Sequence, residues 1–503
     1  MKRRSFLGLS TTAVTGAFCS GSSVMGNPAD NKIKGHIKKE TPVIQTEGAD
    51  NTKPDSEYQD LYQRTANYQR RLRQVDKWFS RARLGMFHHW GLFTGGGYVF
   101  PNEKWPLRYP RPQDLERAAP DPDKVGCNMV NNAVYCGAKY ITLTIFHSCE
   151  KLCILYPTRV PGFRFKTSLD YIGAFIRECT RQSIRPILYH SGGNWGWDKP
   201  GGPYFDEQYA DEETFVGLLK DIHVELKELH GDAIAGFWID GMQPPALDLP
   251  THIHKIFPDA VVIVNGPQGR DLHGEIDYCT TEIPFAGHFS EITPYNYCRP
   301  NAFPGIPDDF NEDIPTCCAW WHYDGPESCS PERWEFVKKK KAPYLADPYF
   351  LTRQMLTSLG QRRRWNFSLG IGPMVNGKMP DEFRPMLDKL HAFMEWGSEA
   401  VYNTIGGQGS CIDPGLMYMY HGGFCSVTVS RDNPGTHYLI VTTAPESKEL
   451  KVYTAYSVAR IVDLRTGSSV SFSQDGFLKF NVDDWQDVEK FGAKIFKIDF
   501  ELS

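Results

Sequence analysis

The sequence predicts an α/β chain: a (β/α)8-like, TIM-type barrel followed by a C-terminal antiparallel β-sandwich. Three observations carry that expectation. Between about residues 78 and 396, short apolar runs alternate with amphipathic stretches. Several of those runs stop abruptly at a polar group. After about residue 400 helical periodicity fades, and short β-rich runs separated by turn residues take over. A chain of 503 residues also exceeds one ordinary core, so two domains are expected.

The strand candidates are 84–89, 140–147, 186–191, 234–240, 260–265, 276–282 and 365–369. Helical segments lie between several of them. Segment 169–182 places Leu169, Ile172, Phe175, Ile176 and Cys179 on one face, a period near 3.6. Segment 211–230 opens with acidic residues and closes on His-Gly, which suits a helix start and stop. Segment 380–396 opens Pro-Asp-Glu and ends at Gly397. Strands alternating with helices imply a parallel sheet, and a run this long favours a barrel, over 76–399. The expected sandwich covers 400–503. Its strands are 424–429, 438–443, 459–463 and 495–500, with Asn-Pro-Gly, Thr-Gly and Asp-Gly turns between them.

Composition bounds the function. A hydrophobic content of 41% and a charged content of 23% describe a soluble globular protein. The net charge of −5 argues against a nucleic-acid partner. Aromatic residues make up 13%, which suits a sugar cleft but equally an ordinary core. Residues 1–26 read as an export signal of the twin-arginine type, with Arg3, Arg4 and then Phe6-Leu7. That stretch is too short and polar for a membrane span, and no later segment suits one. A periplasmic or extracellular location follows as an expectation. Residues 27–75 form a polar linker and lead-in. Twelve of the 13 cysteines lie beyond the signal, without zinc-type spacing, and are expected to be mostly reduced and buried.

The segment Gly236-Phe237-Trp238-Ile239-Asp240-Gly241 is an apolar strand that delivers one carboxylate at its C-terminal end. In a barrel of this kind catalytic groups sit at that mouth. The bland alternative is a turn or helix cap. Other strands end in His88-His89, His147-Ser148, Tyr189-His190-Ser191, Asn265-Gly266 and Thr281-Glu282. A succession of such ends suggests one shared pocket.

These segments together resemble the family 29 glycoside hydrolases, the retaining α-L-fucosidases. The resemblance rests on Leu84-Gly85-Met86-Phe87-His88-His89-Trp90-Gly91, Gly137-Ala138-Lys139-Tyr140 and Leu188-Tyr189-His190-Ser191-Gly192-Gly193-Asn194-Trp195. It continues through Phe237-Trp238-Ile239-Asp240-Gly241, Asp277-Tyr278-Cys279-Thr280-Thr281-Glu282 and Trp365-Asn366-Phe367-Ser368-Leu369-Gly370-Ile371-Gly372-Pro373. It spans about 76–405, plus the sandwich, and the order and spacing of the motifs carry it more than any one of them.

The resemblance implies Asp240 as nucleophile. Retaining hydrolysis also needs a second carboxyl about 5–5.5 Å away, acting as acid and then base. Glu282 fills that role, with Glu103 and Glu275 as reserves; its chemistry requires a carboxyl that keeps its proton near neutral pH. His89, His147, Tyr189, Trp105 and Glu103 would bind the sugar, Arg270 would reach Glu282 or the substrate, and Trp321 would line the pocket. The implied partner is an oligosaccharide or glycan. No cofactor and no metal are implied. The chain departs from the family where His147-Ser148-Cys149-Glu150-Lys151 replaces a His-His-Asp-Gly-Phe ending, and where His190 replaces a second tyrosine. Losing one His of a sugar-binding pair predicts altered specificity. The competing readings are the same chemistry on another sugar, a carbohydrate-binding relative without catalysis, and a metal-dependent hydrolase. The last is disfavoured because adjacent His88 and His89 point to opposite faces of a strand.

Overall fold

The computed structural model describes residues 78–92, 94, 111–147, 153–163, 165–192, 212–240, 248–265, 277–284, 313–319, 347–361, 366–379, 381–407, 416–419, 424–454 and 456–501. Residues 1–77 lie outside them.

Eight parallel strands form the barrel: β1 Leu84–His88, β2 Tyr140–Phe146, β3 Arg185–Ser191, β4 Gly236–Asp240, β5 Val261–Asn265, β6 Tyr278–Pro284, β7 Asp313–Ala319 and β8 Phe367–Ile371. Each pairs with the next, and β1 also pairs with β8, so the sheet closes on itself. The helices of this part are α1 Phe79–Ala82, α2 Pro112–Ala118, α3 Pro122–Tyr135, α4 Tyr171–Arg181, α5 Glu212–His230, α6 Leu249–Ile256, α7 Phe350–Gln361 and α8 Arg384–Gly397. Sequence reading anticipated seven of the eight strands and missed β7, whose Asp-Ile-Pro-Thr-Cys-Cys-Ala has neither a long apolar run nor alternation.

Strand parity separates two cores. Leu84, Met86, Leu143, Leu188, Phe237 and Val262 face outward and pack under the helices. Phe87, Tyr140, Tyr189, Trp238 and Ile263 fill the barrel interior. The helices dock by apolar stripes: α4 buries Ile172, Phe175, Ile176 and Cys179, the face its periodicity predicts. Asp170 starts α4 by accepting from the Gly173 N–H at 2.7 Å. Asp121 does the same for α3, accepting from the Lys124 N–H at 3.0 Å. Of the cysteines, Cys136, Cys153 and Cys179 are buried and, with Cys127, form no disulfide.

Beyond the barrel, β9 Thr404–Gly406, β10 Leu416–Met419, β11 Phe424–Ser430, β12 Thr436–Thr443, β13 Glu449–Thr454, β14 Val458–Asp463, β15 Phe472–Gln474, β16 Phe477–Asn481 and β17 Lys494–Phe500 build two antiparallel sheets. A short helix, α9 Gln486–Phe491, precedes β17. One sheet runs β10-β13-β16-β15 and the other β14-β17-β12-β11-β9. Val427, Leu439, Val441 and Phe496 of the larger sheet meet Val452, Leu478 and Phe480 of the smaller one in a shared core. The other face of the larger sheet sends Tyr438, Ile440 and Ile495 into the barrel's own core. Ser426 on β11 donates to the Leu356 carbonyl of α7 at 3.0 Å. No helix among the described residues is long and apolar enough to cross a membrane.

Candidate active site

The site is built where β1 to β4 end. Trp238 and Asp240 share the inward parity of β4, so the strand points a carboxylate into the mouth two residues beyond a buried indole. Beside it, Tyr189 on β3 is buried and donates its hydroxyl to Asp240 Oδ2 at 2.6 Å. The Gly192 N–H donates to the Asp240 carbonyl at 2.6 Å, fixing the end of β4 against β3. The carboxylate is thus held from two sides, by its own backbone and by a phenol. Such an O–H···O⁻ bond is short and strong.

His89 continues the inward parity of β1, with Phe87 inside and His88 outside. The His88 imidazole lies on the helical side, its Nε2 at 3.3 Å from the Met129 carbonyl of α3. His89 packs against Tyr189 with ring centroids 5.4 Å apart and against His147 at 5.8 Å. His147 stacks on Tyr189 at 5.6 Å. Simple alternation from the inward Tyr140 would aim His147 outward. A bulge in β2 corrects this: Thr144 pairs with Tyr189 but Phe146 with His190, so one residue is extra. Ile145 and Phe146 both join the outer core, and His147 swings into the mouth. Below the cluster, Phe87 stacks on Trp238 at 4.8 Å, an aromatic floor in which the buried Trp238 Nε1 has no hydrogen-bond partner.

Burial drives both histidines toward neutrality. His89 falls well below its ordinary pKa, with His147 and His88 adding to the effect of burial, and burial alone takes His147 down to about 3. Neutral imidazoles can each donate one bond and accept another, which suits sugar hydroxyls. In the unfolded chain these groups titrate near ~6.5. The unfolded state therefore takes up protons as pH falls through that value while the folded state does not, and stability is lost toward the lower folded pKa values. His190 and His223 behave alike, burial lowering both. Between pH 6.5 and 5, above the carboxylate range, each such histidine should cost about 1.4 kcal/mol per pH unit once it protonates in the unfolded chain. Urea melts at pH 7, 6 and 5 read this directly; a flat stability over that interval contradicts the neutral cluster.

Removing the hydroxyl partner of Asp240 tests its role. Tyr189→Phe keeps the stacking with His147 and deletes one bond to the carboxylate. The expected loss is about 10- to 100-fold in kcat/KM, from one charge-assisted hydrogen bond, with little change in the urea midpoint. Unchanged turnover would show that this bond does not orient Asp240 for catalysis.

The other expected site residues are placed less fully. Glu282 lies on β6 in register with Thr316 of β7, four residues beyond Tyr278. Glu103, Trp105, Arg270, Glu275 and Trp321 lie outside the described residues. His190, not expected to join the site, does not: it faces α5, where its Nε2 is 3.0 Å from His223 Nε2. Trp238 and Phe87, which form the floor, were quoted as motif residues but not expected to line the pocket; their parity with Asp240 and His89 was the signal. Among the described residues no group of three or more His, Cys, Asp or Glu side chains gathers as metal ligands.

The alpha-L-fucosidase family model matches residues 51–124. A search of curated proteins finds no match. Among solved structures, the chain is similar to a GH29 alpha-L-fucosidase from Bacteroides thetaiotaomicron trapped as a covalent intermediate, with 15% identity, 86% of this chain and 96% of that one covered, and a TM-score of 0.60. It is similar to the Thermotoga maritima alpha-fucosidase in complex with fucose, at 16% identity, with 84% and 96% covered and a TM-score of 0.58. It is also similar to alpha-L-fucosidase isoenzyme 1 from Paenibacillus thiaminolyticus, at 17% identity, with 86% and 100% covered and a TM-score of 0.58. At these identities the structures establish a shared fold.

Proposed function

We propose that this divergent glycosidase of the alpha-L-fucosidase type removes terminal α-L-fucosyl residues, or residues of a closely similar sugar, from glycans with net retention. The observation that carries the reading is Asp240 at the C-terminal mouth of the barrel, bonded at 2.6 Å by Tyr189, on whose ring His89 and His147 pack. Asp240 attacks the anomeric carbon and the glycosidic oxygen leaves with a proton from Glu282. Water, deprotonated by the same Glu282, then releases the sugar from Asp240. His89 and His147 hold ring hydroxyls as neutral donors and acceptors.

The replacement of the family's second His and its Asp by Ser148-Cys149-Glu150 supports an altered preference among such sugars. The twin-arginine pattern at Arg3-Arg4 supports export to the periplasm or beyond, with a glycan substrate met there. The experiment is hydrolysis of 4-nitrophenyl α-L-fucoside beside a panel of other aryl glycosides. Turnover confined to the fucoside and near relatives is expected. Silence with every glycoside, together with retained sugar binding, would replace the hydrolase reading by a binding protein.

A further inference from the structure

A second cleft opens at the opposite mouth of the barrel, where β3, β4 and β5 begin. It holds about 270 Å³ and is lined by Trp78, Ser183, Arg185, Phe257 and Asp259, among others. The Arg185 guanidinium lies over the Trp78 ring, 4.6 Å from its centroid. Burial lowers the pKa of Arg185, and no carboxylate partner offsets it among the described residues. Asp232, also on the lining, is already engaged by Lys227. That leaves one guanidinium and one carboxylate, Asp259, as open charges of opposite sign on the same cleft.

Ser183 gives an independent sign. It occupies the residue just past the cap of α4, at φ 56°. The Ser183 N–H donates to the Thr180 carbonyl and the Ile184 N–H to the Cys179 carbonyl, the paired bonds of a Schellman ending. Glycine is the usual residue at that position, because a Cβ is strained in the left-handed region. Here a serine stands instead, among the residues that line the cleft.

We propose that this cleft is a second carbohydrate-binding site, taking a neutral saccharide that carries vicinal hydroxyls. Arg185 donates two parallel N–H groups and Asp259 accepts, a pairing that matches adjacent hydroxyls. Ser183 adds a third polar contact, and the partly exposed Trp78 ring supplies apolar surface for sugar C–H groups. The open charges cancel, so the site has no preference for an anionic sugar. The site lies at the mouth opposite Asp240 and holds a glycan chain without competing with cleavage. The choice of a sugar ligand rests on the glycosidase reading above.

The test is hydrogen exchange, read by mass spectrometry on the full chain with lactose at about 50 mM, a level suited to millimolar affinity. Wild type should show exchange slowed about threefold or more in 180–186 and 257–260. Ser183→Gly should match or raise the melting temperature, because it relieves the left-handed strain, yet lose most of that protection. Arg185→Ala should lose it as well, by about fivefold in apparent affinity. No slowing in wild type, or equal slowing in both variants, overturns the proposal. Hydrolysis of the aryl fucoside is measured on the same preparations and should be unchanged in both variants. Hydrolysis without protection removes the second site alone; protection without hydrolysis removes the hydrolase reading alone.

Discussion

Asp240→Asn is expected to lower turnover of an aryl α-L-fucoside by at least about a thousandfold while leaving the fold intact. The amide is nearly isosteric, and its oxygen still accepts the Tyr189 hydroxyl, now 2.6 Å from Oδ2. The backbone bond from the Gly192 N–H to the Asp240 carbonyl is untouched. What disappears is the negative charge and the nucleophilic oxygen. Asp240→Ala goes further and opens space beside Tyr189 where a small anion fits. Added azide should restore part of the turnover and yield a glycosyl azide of inverted configuration, because azide then attacks from the vacated face. A mutant that keeps wild-type turnover would show that Asp240 is not the nucleophile, and a rescue product of retained configuration would show that azide does not enter from its side.

Gly85→Ala should be the most damaging small substitution in the barrel. Gly85 pairs with Tyr140 on one side and Ser368 on the other. A Cβ there would lie 2.1 Å from the Tyr140 ring. The ring cannot easily yield, since Tyr140 is fully buried and braced by Phe79 at 5.0 Å and Trp78 at 6.4 Å. Interiors are packed near crystal density, so one methyl group must displace either the tyrosine or β1 itself. The expected cost is about 3 kcal/mol, read as a lower urea midpoint with an unchanged slope. Shifting β1 also moves Phe87 and His89, so activity should fall in whatever folded fraction remains. Gly85→Ala combined with Tyr140→Leu should recover part of the stability; no recovery would place the conflict elsewhere.

The strands that carry chemistry were legible because each ends an apolar run in a polar group, as β4 does at Asp240. His89 was legible for the same reason, and strand parity alone places His88 on the other side. His147 was a different case. Its inward aim depends on one extra residue in β2, and nothing in Tyr-Ile-Thr-Leu-Thr-Ile-Phe-His marks a bulge. Its polar strand end marked His147 as a pocket candidate, and the family resemblance added a sugar-binding role, but neither marked the bulge. In the sandwich, β11, β12, β14 and β17 were legible as apolar runs, whereas the short β9 and β10 were not, nor were β13, β15 and β16. Their segments mix Lys, Glu and Ser into the pattern because one face of the smaller sheet meets solvent. The second cleft left no sequence signal, since its residues come from Trp78, Ser183, Arg185 and Asp259, far apart in the chain.

The place of β17 in the larger sheet sets a condition on how this protein is made. Lys494–Phe500 is the last strand among the described residues, yet it lies between β14 and β12 rather than at an edge. Domains usually assemble from the N-terminus as the ribosome extends them, and chain ends usually tolerate trimming. Here neither holds for the C-terminal region. The sheet whose Tyr438, Ile440 and Ile495 pack into the barrel core stays split until Lys494–Phe500 has been made and inserted. Truncation before Lys494 should therefore be strongly destabilising, because it leaves β12 and β14 with open edges.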